Sequence, residues 1–271
     1  NAIPNVNAGA DILLTCVITN TSLQATSTTA GVTYAWSNGI NTADNLVSSP
    51  NVYTVTATNP SNGCTISDAV DVTQNISTPN VDAGLDQELS CTTSSANLTG
   101  ASSTSGVSYA WSGPGTITNG NTAIATVNVS GNYSLLVTDP SNGCTASDVV
   151  VVTPNVNAPN INAGLDQVLT CVTTSVSLTA TSSTAGVTFL WSDGTTNAST
   201  NVNAPTTYSV TATDPNNGCQ AVDQVVVSQN IAAPDVNAGA DATLTCLITS
   251  IPLNATSTIS GATFVWSNGT A

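Results

Sequence analysis

Apolar and polar residues alternate along several short stretches of this chain, with the two-residue period of a half-buried β-strand. The alternation occurs in residues 175–181, 187–191 and 207–213, and a Val-rich stretch follows at 220–228. Turn-forming sequences separate such stretches, for example Asp214-Pro215-Asn216-Asn217-Gly218. Short strands divided in this way predict an all-β fold, specifically a two-sheet antiparallel β-sandwich.

The same landmarks recur along the chain at a long and nearly constant period. The tryptophans mark this period, at Trp36, Trp111, Trp191 and Trp266. Four cysteines and four prolines repeat at the same intervals: Cys16, Cys91, Cys171 and Cys246, and Pro4, Pro79, Pro159 and Pro234. Such a period predicts a linear array of small domains. We place these domains at 1–78, 79–158 and 159–233, with a partial fourth at 234–271, and expect the chain to be a segment of a longer protein.

The spacings between landmarks indicate which parts of the repeats vary. The interval from the tryptophan to the next cysteine is longer in the second repeat than in the first and third, so the second repeat carries an insertion between Gly113 and Ser130. In contrast, the interval from that cysteine to the first cysteine of the following repeat never changes, as shown by Cys64 to Cys91, Cys144 to Cys171, and Cys219 to Cys246. A flexible tether would not require a constant length. We therefore predict stiff joints with a reproducible angle, and a rod-like array.

The aromatic residues follow the same repeat. Another large ring stands two positions before each tryptophan, at Tyr34, Tyr109, Phe189 and Phe264. Side chains at this spacing lie on the same face of a strand. We predict that this face is turned inward, so that the tryptophans form the cores of their repeats, at Trp36, Trp111, Trp191 and Trp266. A sugar-stacking surface is the alternative interpretation of these rings.

Charge is the most unusual property of the composition. The chain has 15 Asp and Glu residues but no Lys, Arg or His. Without cations it cannot neutralise phosphates, so nucleic acid binding is excluded, as is attraction to anionic lipid. No run of 18 apolar residues is present, and we expect no direct insertion into a membrane. The lack of basic residues also removes the cleavage sites of trypsin-like proteases. It fits either a bias of the lineage toward Asn and Thr or selection for a long-lived extracellular protein.

The repeated motifs resemble those of a known group of domains. They are Pro159–Gly164, Cys171, Trp191 and Asp214–Cys219, together with their counterparts in the other repeats. The pattern is similar to immunoglobulin-like repeats of the polycystic-kidney-disease and SprB types. Such repeats occur in very large surface proteins of Bacteroidetes that are exported by the type IX secretion system. The resemblance implies an immunoglobulin-like fold, an extracellular location at the cell surface, and a role in adhesion, gliding or filaments.

Seven cysteines in such an array indicate disulfide bonds, because the chain has no C-x-x-C pair and no His for a zinc site. One pairing scheme joins neighbouring repeats, as Cys16–Cys144 and Cys91–Cys219. The other stays within each repeat, as Cys16–Cys64, Cys91–Cys144 and Cys171–Cys219. The predicted strands place the two cysteines of a repeat roughly 20 Å apart, whereas a disulfide needs Cα atoms within about 7 Å. This favours the first scheme while leaving the second open, and we expect Cys246 to be bonded as well.

Carboxylates recur beside the first and last predicted strands of each repeat, at Asp11, Asp86 and Asp166 and at Asp68, Asp148 and Asp223. These two strands are neighbours in a sandwich of this type, so each repeat would bring two carboxylates together. Clustered oxygen ligands suit calcium, which is one hypothesis for these residues. The alternative is that the aspartates cap turns and remain solvated.

These features favour a structural function over a catalytic one. No Ser–His or Cys–His arrangement can form without His, and we expect no enzyme activity, no catalytic residues and no cofactor. The leading hypothesis is a rigid, protease-resistant spacer in the stalk or filament of a large extracellular adhesin, whose partners are further copies of the same repeat. The alternatives are an array that binds a glycan or protein weakly through many copies, and a homo-oligomeric fibre subunit that self-associates laterally.

Overall fold

The computed structural model describes residues 2–270, in which eighteen strands are found, six in each of three successive repeats. Repeat 1 contains β1 (Ile12–Thr15), β2 (Thr21–Gln24), β3 (Thr33–Trp36), β4 (Asp44–Val47), β5 (Asn51–Thr58) and β6 (Thr65–Asn75). Repeat 2 contains β7 (Gln87–Ser90), β8 (Ala96–Thr99), β9 (Ser108–Ser112), β10 (Ile124–Val127), β11 (Gly131–Thr138) and β12 (Thr145–Asn155). Repeat 3 contains β13 (Gln167–Thr170), β14 (Val176–Thr179), β15 (Thr188–Trp191), β16 (Ser199–Val202), β17 (Thr206–Thr213) and β18 (Gln220–Asn230).

Each repeat consists of a four-stranded and a two-stranded sheet. In repeat 1 the strand orders are β1-β6-β5-β3 and β2-β4, and the corresponding strands of repeats 2 and 3 are arranged identically. The two sheets face each other, because buried residues of both belong to one core cluster in each repeat. Strands β1 to β5 alternate between the sheets, and β6 pairs with β5 in the larger one. The prediction of a tandem array of all-β, immunoglobulin-like sandwiches is confirmed.

Every repeat has its own hydrophobic core between its two sheets. In repeat 3 the core includes Leu178 from the small sheet and Trp191, Val210 and Val225 from the large one. Equivalent clusters form around the tryptophans of the other two repeats, Trp36 and Trp111. The alternation of apolar and polar residues therefore has the expected consequence, since one face of each strand is buried and the other is solvated.

One strand pairing differs from the antiparallel arrangement that the pattern predicts. β1 runs parallel to β6, with Thr15 opposite Asn75, and β7 and β13 pair with β12 and β18 in the same way. Before β1, Asn7 forms an isolated antiparallel bridge to Thr26 next to the small sheet. Gly9, with φ of 98°, then allows the chain to bend and cross to the large sheet. The short first strand is thus divided between the two sheets.

The contacts along the chain define two compact units, one up to Asn157 and one from Ala158 onward. The first contains repeats 1 and 2, and the second contains repeat 3 and the partial fourth repeat. Residues 234–270 form no regular strand, only an isolated bridge between Asn237 and Thr256. Trp266 is half-buried and belongs to no core cluster among the described residues, and its role as a core residue stays a prediction. The other tryptophans are covered by strands that follow them in sequence, and no such strand follows Trp266 within residues 267–270.

The predicted insertion of repeat 2 is a loop between β9 and β10. Thr118 of this loop forms an isolated bridge to Thr126 of β10, and Asn119 adopts a φ of 57°. The hydroxyl of Tyr133 lies 2.9 Å from the carbonyl oxygen of Pro114, which fastens the beginning of the loop to β11. The insertion therefore changes one edge of the sandwich and leaves its core strands in register.

Candidate functional site at the joint of the first two repeats

A disulfide bond connects repeat 1 to repeat 2. It joins Cys16, directly after β1, to Cys144, directly before β12, with an S–S distance of 1.99 Å and a Cα–Cα distance of 5.0 Å. In antibody domains the disulfide joins the two sheets of one sandwich. Here the bond closes a separation of 128 residues between two sandwiches.

The architecture explains why the cysteines of one repeat do not meet. β1 ends beside the last residue of β6, whereas Cys64 precedes the first residue of that strand. An 11-residue strand is roughly 35 Å long, far beyond the Cα separation of about 7 Å that a disulfide allows. The within-repeat bonds that the sequence left open are therefore absent from the structure: Cys16–Cys64, Cys91–Cys144 and Cys171–Cys219.

The remaining cysteines fall into two groups. Cys91 and Cys219 are disulfide-bonded. Cys64, Cys171 and Cys246 are free thiols, so Cys246 does not form the expected bond, whereas the scheme that joins neighbouring repeats names no partner for any of the three. The pairing of Cys91 with Cys219 stays a prediction of the scheme that joins neighbouring repeats.

The cysteine of repeat 2 is carried by a rigid turn, residues 139–144, which we call the plug loop. The backbone N–H of Asp139 donates to the Cys144 carbonyl at 2.9 Å, and that of Gly143 donates to the Asp139 carbonyl at 2.8 Å. The Asp139 carboxylate accepts from the N–H of Ser141 at 2.8 Å, and hydrogen bonding to Ser141 lowers the pKa of this carboxyl. These local bonds fix the direction in which Cys144 points before it meets Cys16.

Repeat 1 receives the plug loop in a matching socket, formed by Cys16, Val17, Asn75 and Ser77. The amide nitrogen of Asn142 donates to the side-chain oxygen of Asn75 at 3.1 Å and to the carbonyl oxygen of Ser77 at 2.9 Å. Its amide oxygen accepts from the N–H of Cys144 at 2.9 Å. Asn142 is only 3% exposed, so its hydrogen bonds are shielded from water.

Apolar contact completes the joint. Cys144 is fully buried, and a Cβ atom added to Gly143 would overlap the side chain of Val17. Gly143 also has a φ of 69°, which non-glycine residues rarely adopt. The joint thus combines a covalent bond, the hydrogen bonds of a buried amide and close packing, and it holds the two repeats more firmly than a linker of constant length alone.

The recurring positions of the aspartates are explained by backbone hydrogen bonds. Asp68, Asp148 and Asp223 accept from the N–H groups of Ala8, Ala83 and Ala163 at 2.9, 2.8 and 2.8 Å. Asp11, Asp86 and Asp166 accept from the N–H groups of Asp71, Val151 and Val226 at 2.9, 2.8 and 2.9 Å. Each carboxylate therefore ties the crossing segment around the first strand to the last strand of its own repeat.

These bonds have an electrostatic consequence for two of the carboxyls. Donation from Ala83 lowers the pKa of Asp148, and donation from Ala163 lowers the pKa of Asp223. Within residues 2–270 no group of three or more metal-ligating side chains could hold a metal ion. The structure thus gives no support to the calcium hypothesis and assigns a structural role to the side chains concerned: Asp11, Asp68, Asp86, Asp148, Asp166 and Asp223.

The polar atoms of the core tyrosines also have partners. The hydroxyls of Tyr53 and Tyr208 donate to the carbonyls four residues earlier, at 3.0 and 3.2 Å. The hydroxyl of Tyr133 makes the same contact at 2.7 Å, and burial raises the pKa of this phenol. This arrangement is the tyrosine corner of immunoglobulin-like sandwiches. These tyrosines stand at a constant spacing of 11 residues before the next cysteine, which is visible in the sequence but does not reveal the hydrogen bond.

The partial fourth repeat contains an apolar pocket of about 330 Å³. Phe264 and Trp266 line it together with Val236 and Ala255. The tryptophan of repeat 3 is instead covered by the core residues of β17 and β18. Asp235, Thr263 and Ser267 also line the pocket, and its aromatic residues correspond to Phe189 and Trp191 at the core of repeat 3.

No protein-family model matches the chain, and no curated protein matches it. Solved structures to which the chain is similar include the I9–I11 tandem of titin, with 12% identity, a TM-score of 0.34, and coverage of 86% of this chain and 98% of that chain. Three N-terminal domains of the Hoc capsid protein of bacteriophage RB49 show 13% identity, a TM-score of 0.33, and coverage of 84% and 98%. Immunoglobulin domains 1–5 of Sidekick-1 show 9% identity, a TM-score of 0.30, and coverage of 85% of this chain and 60% of that chain. The assignment of the fold rests on the strand order and tyrosine corners described above. Among the described residues, none forms a helix able to cross a membrane.

Proposed function

We propose that the chain is a non-enzymatic, structural segment of a large extracellular adhesin, in which it acts as a stiff, protease-resistant spacer. The observation that carries the proposal is the joint between repeats 1 and 2. A disulfide, the buried amide of Asn142 and the contact between Gly143 and Val17 all act at one junction. A module that only had to fold would need its own core but no such junction.

The position of the disulfide suits a protein that bears load. Force applied along the chain would reach Cys16, pass through the sulfur–sulfur bond to Cys144, and bypass the residues between them. Unfolding of a strand between Cys16 and Cys144 would then not lengthen the chain. Disulfides persist in oxidising compartments, which supports an extracellular location.

The finer identity rests on the repeated motifs. Their resemblance to polycystic-kidney-disease and SprB-type repeats supports a surface protein of the Bacteroidetes kind, exported by type IX secretion. In such a protein the partners of this segment would be further copies of the same repeat. The chain would set the distance between the cell and an adhesive tip.

Single-molecule stretching of the chain between its two ends tests the spacer function. We expect discrete unfolding events, and a total extension that grows by roughly 500 Å when a reductant opens the disulfides, because each released residue adds up to about 3.6 Å. A chain that extends smoothly at low force, with the same length in oxidising and reducing buffer, would contradict the proposal.

A binding assay separates the spacer from a multivalent binding array. The oxidised chain is immobilised at high density and exposed to a panel of cell-surface glycans. We expect no retention above that of a denatured sample. Density-dependent retention of one glycan class would replace the spacer function with the binding array.

A further inference from the structure

Asparagine is followed directly by glycine at six places in the sequence: Asn38, Asn62, Asn119, Asn142, Asn217 and Asn268. Such a pair can lose the side-chain amide without an enzyme, because the glycine nitrogen can attack the asparagine Cγ atom with no neighbouring side chain in the way. The attack has two requirements. The asparagine side chain must be free to turn toward the glycine nitrogen, and the glycine N–H must be free to lose its proton.

Five of these asparagine side chains are held by hydrogen bonds. The amide oxygen of Asn142 accepts from the N–H of Cys144 at 2.9 Å, and its amide nitrogen donates to repeat 1. Asn38 exchanges two bonds with the buried side chain of Asn45, at 2.9 and 3.2 Å. Turning toward the glycine would therefore break at least one hydrogen bond. The other three accept from the N–H two residues ahead: Asn62, Asn217 and Asn268, at 3.0, 2.9 and 3.1 Å.

The glycine nitrogens of the same five pairs are also engaged. The N–H of Gly143 donates to the carbonyl of Asp139 at 2.8 Å, and that of Gly39 donates to the carbonyl of Trp36 at 2.9 Å. A hydrogen bond to a carbonyl stabilises the N–H and so opposes the loss of its proton. The remaining glycines make the same kind of bond: Gly63, Gly218 and Gly269, at 2.8, 2.8 and 2.9 Å.

The pair Asn119–Gly120, in the insertion of repeat 2, has neither form of protection. Asn119 is exposed, and within residues 2–270 neither its side chain nor the N–H of Gly120 has a hydrogen-bond partner. The carbonyl of Asn119 accepts from the N–H and the hydroxyl of Thr122, at 3.1 and 3.0 Å, which shapes the turn but leaves both reacting groups free. The φ of 57° at Asn119 adds backbone strain to this turn.

We propose that Asn119 is a site of self-modification, at which the chain converts its own side-chain amide to a carboxylate. This goes beyond the spacer function, which requires no covalent change. The same comparison explains why Asn142 keeps its amide, on which the joint between repeats 1 and 2 depends.

The reaction needs only water. The Gly120 nitrogen gives its proton to hydroxide and attacks Cγ of Asn119. The new nitrogen–Cγ bond closes a succinimide ring, while the bond from Cγ to Nδ2 breaks and the leaving nitrogen takes a proton from water to depart as ammonia. A second water then opens the ring at either of its carbonyls. Opening at Cγ leaves an aspartate, and opening at the main-chain carbonyl leaves an isoaspartate. The net reaction consumes one water, releases one ammonia and involves no oxidation.

Both products alter the insertion and leave the joint intact. Each adds a negative charge to a chain that already has 15 acidic side chains and no basic ones. Isoaspartate also adds a methylene group to the main chain, next to the Gly120 carbonyl that accepts from the N–H of Trp111 at 2.7 Å. The modification should therefore loosen this edge of repeat 2 as the molecule ages.

Ageing of the folded, oxidised chain tests the proposal. The full chain is incubated for several weeks in mildly alkaline buffer, digested with chymotrypsin and analysed by mass spectrometry. We expect Asn119 to convert at least tenfold faster than the protected asparagines of repeats 1–3, because hydrogen bonds must break in each of those pairs. Fragment spectra should show both aspartate and isoaspartate. Conversion of any protected asparagine as fast as Asn119 would overturn the proposal. The asparagines compared with it are Asn38, Asn62, Asn142 and Asn217.

Two further measurements test the mechanism. Gly120→Ala places a methyl group beside the attacking nitrogen, and it should fold, because Gly120 has no positive φ and the added Cβ would most closely approach the flexible side chain of Ile117, at 3.2 Å. We expect conversion of Asn119 to slow at least tenfold in this variant. Reduction and unfolding of the wild type in urea should bring Asn142 to the rate of Asn119.

An unchanged rate in Gly120→Ala would show that the Gly120 nitrogen is not the attacking group. A difference between Asn119 and Asn142 that persists in the unfolded chain would show that the fold does not select the site. Either result would overturn the proposal, and neither bears on the spacer function, which the stretching experiment tests.

Discussion

Asn142 shows how a single polar side chain can be placed in a protein interior without penalty. Its amide oxygen holds its own loop in shape, and its amide nitrogen donates twice to the neighbouring repeat. Buried polar groups are stable only when such partners are present. Within residues 2–270, every buried side-chain nitrogen and oxygen atom has a hydrogen-bond partner. In this Asn- and Thr-rich chain, the hydrogen-bonding groups of the interior are thus satisfied by individual side chains.

The tryptophans allow the contribution of one residue to be measured. Trp191 is 1% exposed in the core of repeat 3, whereas Trp266 in the equivalent position is half-buried. We expect Trp191→Ala to reduce the stability of repeat 3 by about 3–5 kcal/mol, through lost burial and the cavity that remains. Hydrogen exchange of the Val210 and Val225 amides would report the loss. Trp266→Ala is the control and should change the free energy of opening, as measured by this exchange, by less than about 1 kcal/mol. Equal effects of the two substitutions would contradict the assignment of the core.

The aspartates predict a dependence of stability on pH. Backbone donors lower the pKa of Asp148 and Asp223 in the folded state, so their contribution is complete above the ordinary carboxyl pKa and is lost as the pH falls through the lowered value. Asp148→Asn/Asp223→Asn keeps an acceptor oxygen but cannot titrate. We expect the melting temperature of the wild type, relative to that of this variant, to fall between about pH 5 and pH 2. A difference that stays constant over this range would show that the hydrogen bonds do not couple to ionisation.

At the scale of elements, the long last strand of each repeat sets the geometry of the joint. β6 spans 11 residues, with Cys64 directly before its first residue and the socket at its other end. The parallel pairing of β1 with β6 brings Cys16 to the socket end. The same strand therefore separates the two cysteines of one repeat and presents one of them to the next.

A matched pair of glycines tests the packing of the plug loop. Gly143→Ala and Gly63→Ala introduce the same strain at nearly equal positive φ, about 1 kcal/mol each. Only the first also drives a methyl group into Val17. We expect Gly143→Ala to reduce the free energy of unfolding by a further amount of about 1–3 kcal/mol, as measured by urea denaturation of the oxidised chain. Equal losses in the two variants would mean that the joint contributes little packing energy.

At the scale of the whole molecule, the dominant property is charge of one sign. Fifteen acidic side chains have no Lys, Arg or His to pair with, so interactions between side-chain charges are repulsive. The sandwiches are held instead by apolar cores and by hydrogen bonds that end on carboxylates. The chain has no ion pair between its side chains, so its stability does not depend on such pairs.

The absence of cationic side chains predicts an unusual response to salt. Raising sodium chloride from about 10 to about 150 mM should increase the melting temperature by a few degrees, because screening weakens repulsion and removes no attraction between side-chain charges. Thermal unfolding followed by circular dichroism would show it. A variant with several aspartates replaced by asparagine, at positions without backbone bonds, is expected to respond less. A melting temperature that falls with added salt would contradict this picture.

Much of the fold was predictable because it depends on local patterns. Alternating residues and Gly- and Pro-containing turns located the strands, and the spacing of Trp111 and Cys144 located the insertion of repeat 2. The parallel pairing of β1 was not predictable, because a four-residue strand carries no signal for the direction of its partner. The docking role of Asn142 was missed as well, although the Asn-Gly-Cys sequence occurs in all three hairpins.

The sequence by itself determined the class of the protein: its period, its all-β repeats, its purely acidic side-chain charge and the constant length of its joints. These properties follow from residue types and from spacings along the chain, and neither depends on which segments meet in space. Only the tertiary structure decided which cysteines meet and that the aspartates bind backbone N–H groups. Each of these depends on which segments are brought together in space, and residues such as Cys16 and Cys144, 128 positions apart, share no local pattern that specifies their contact.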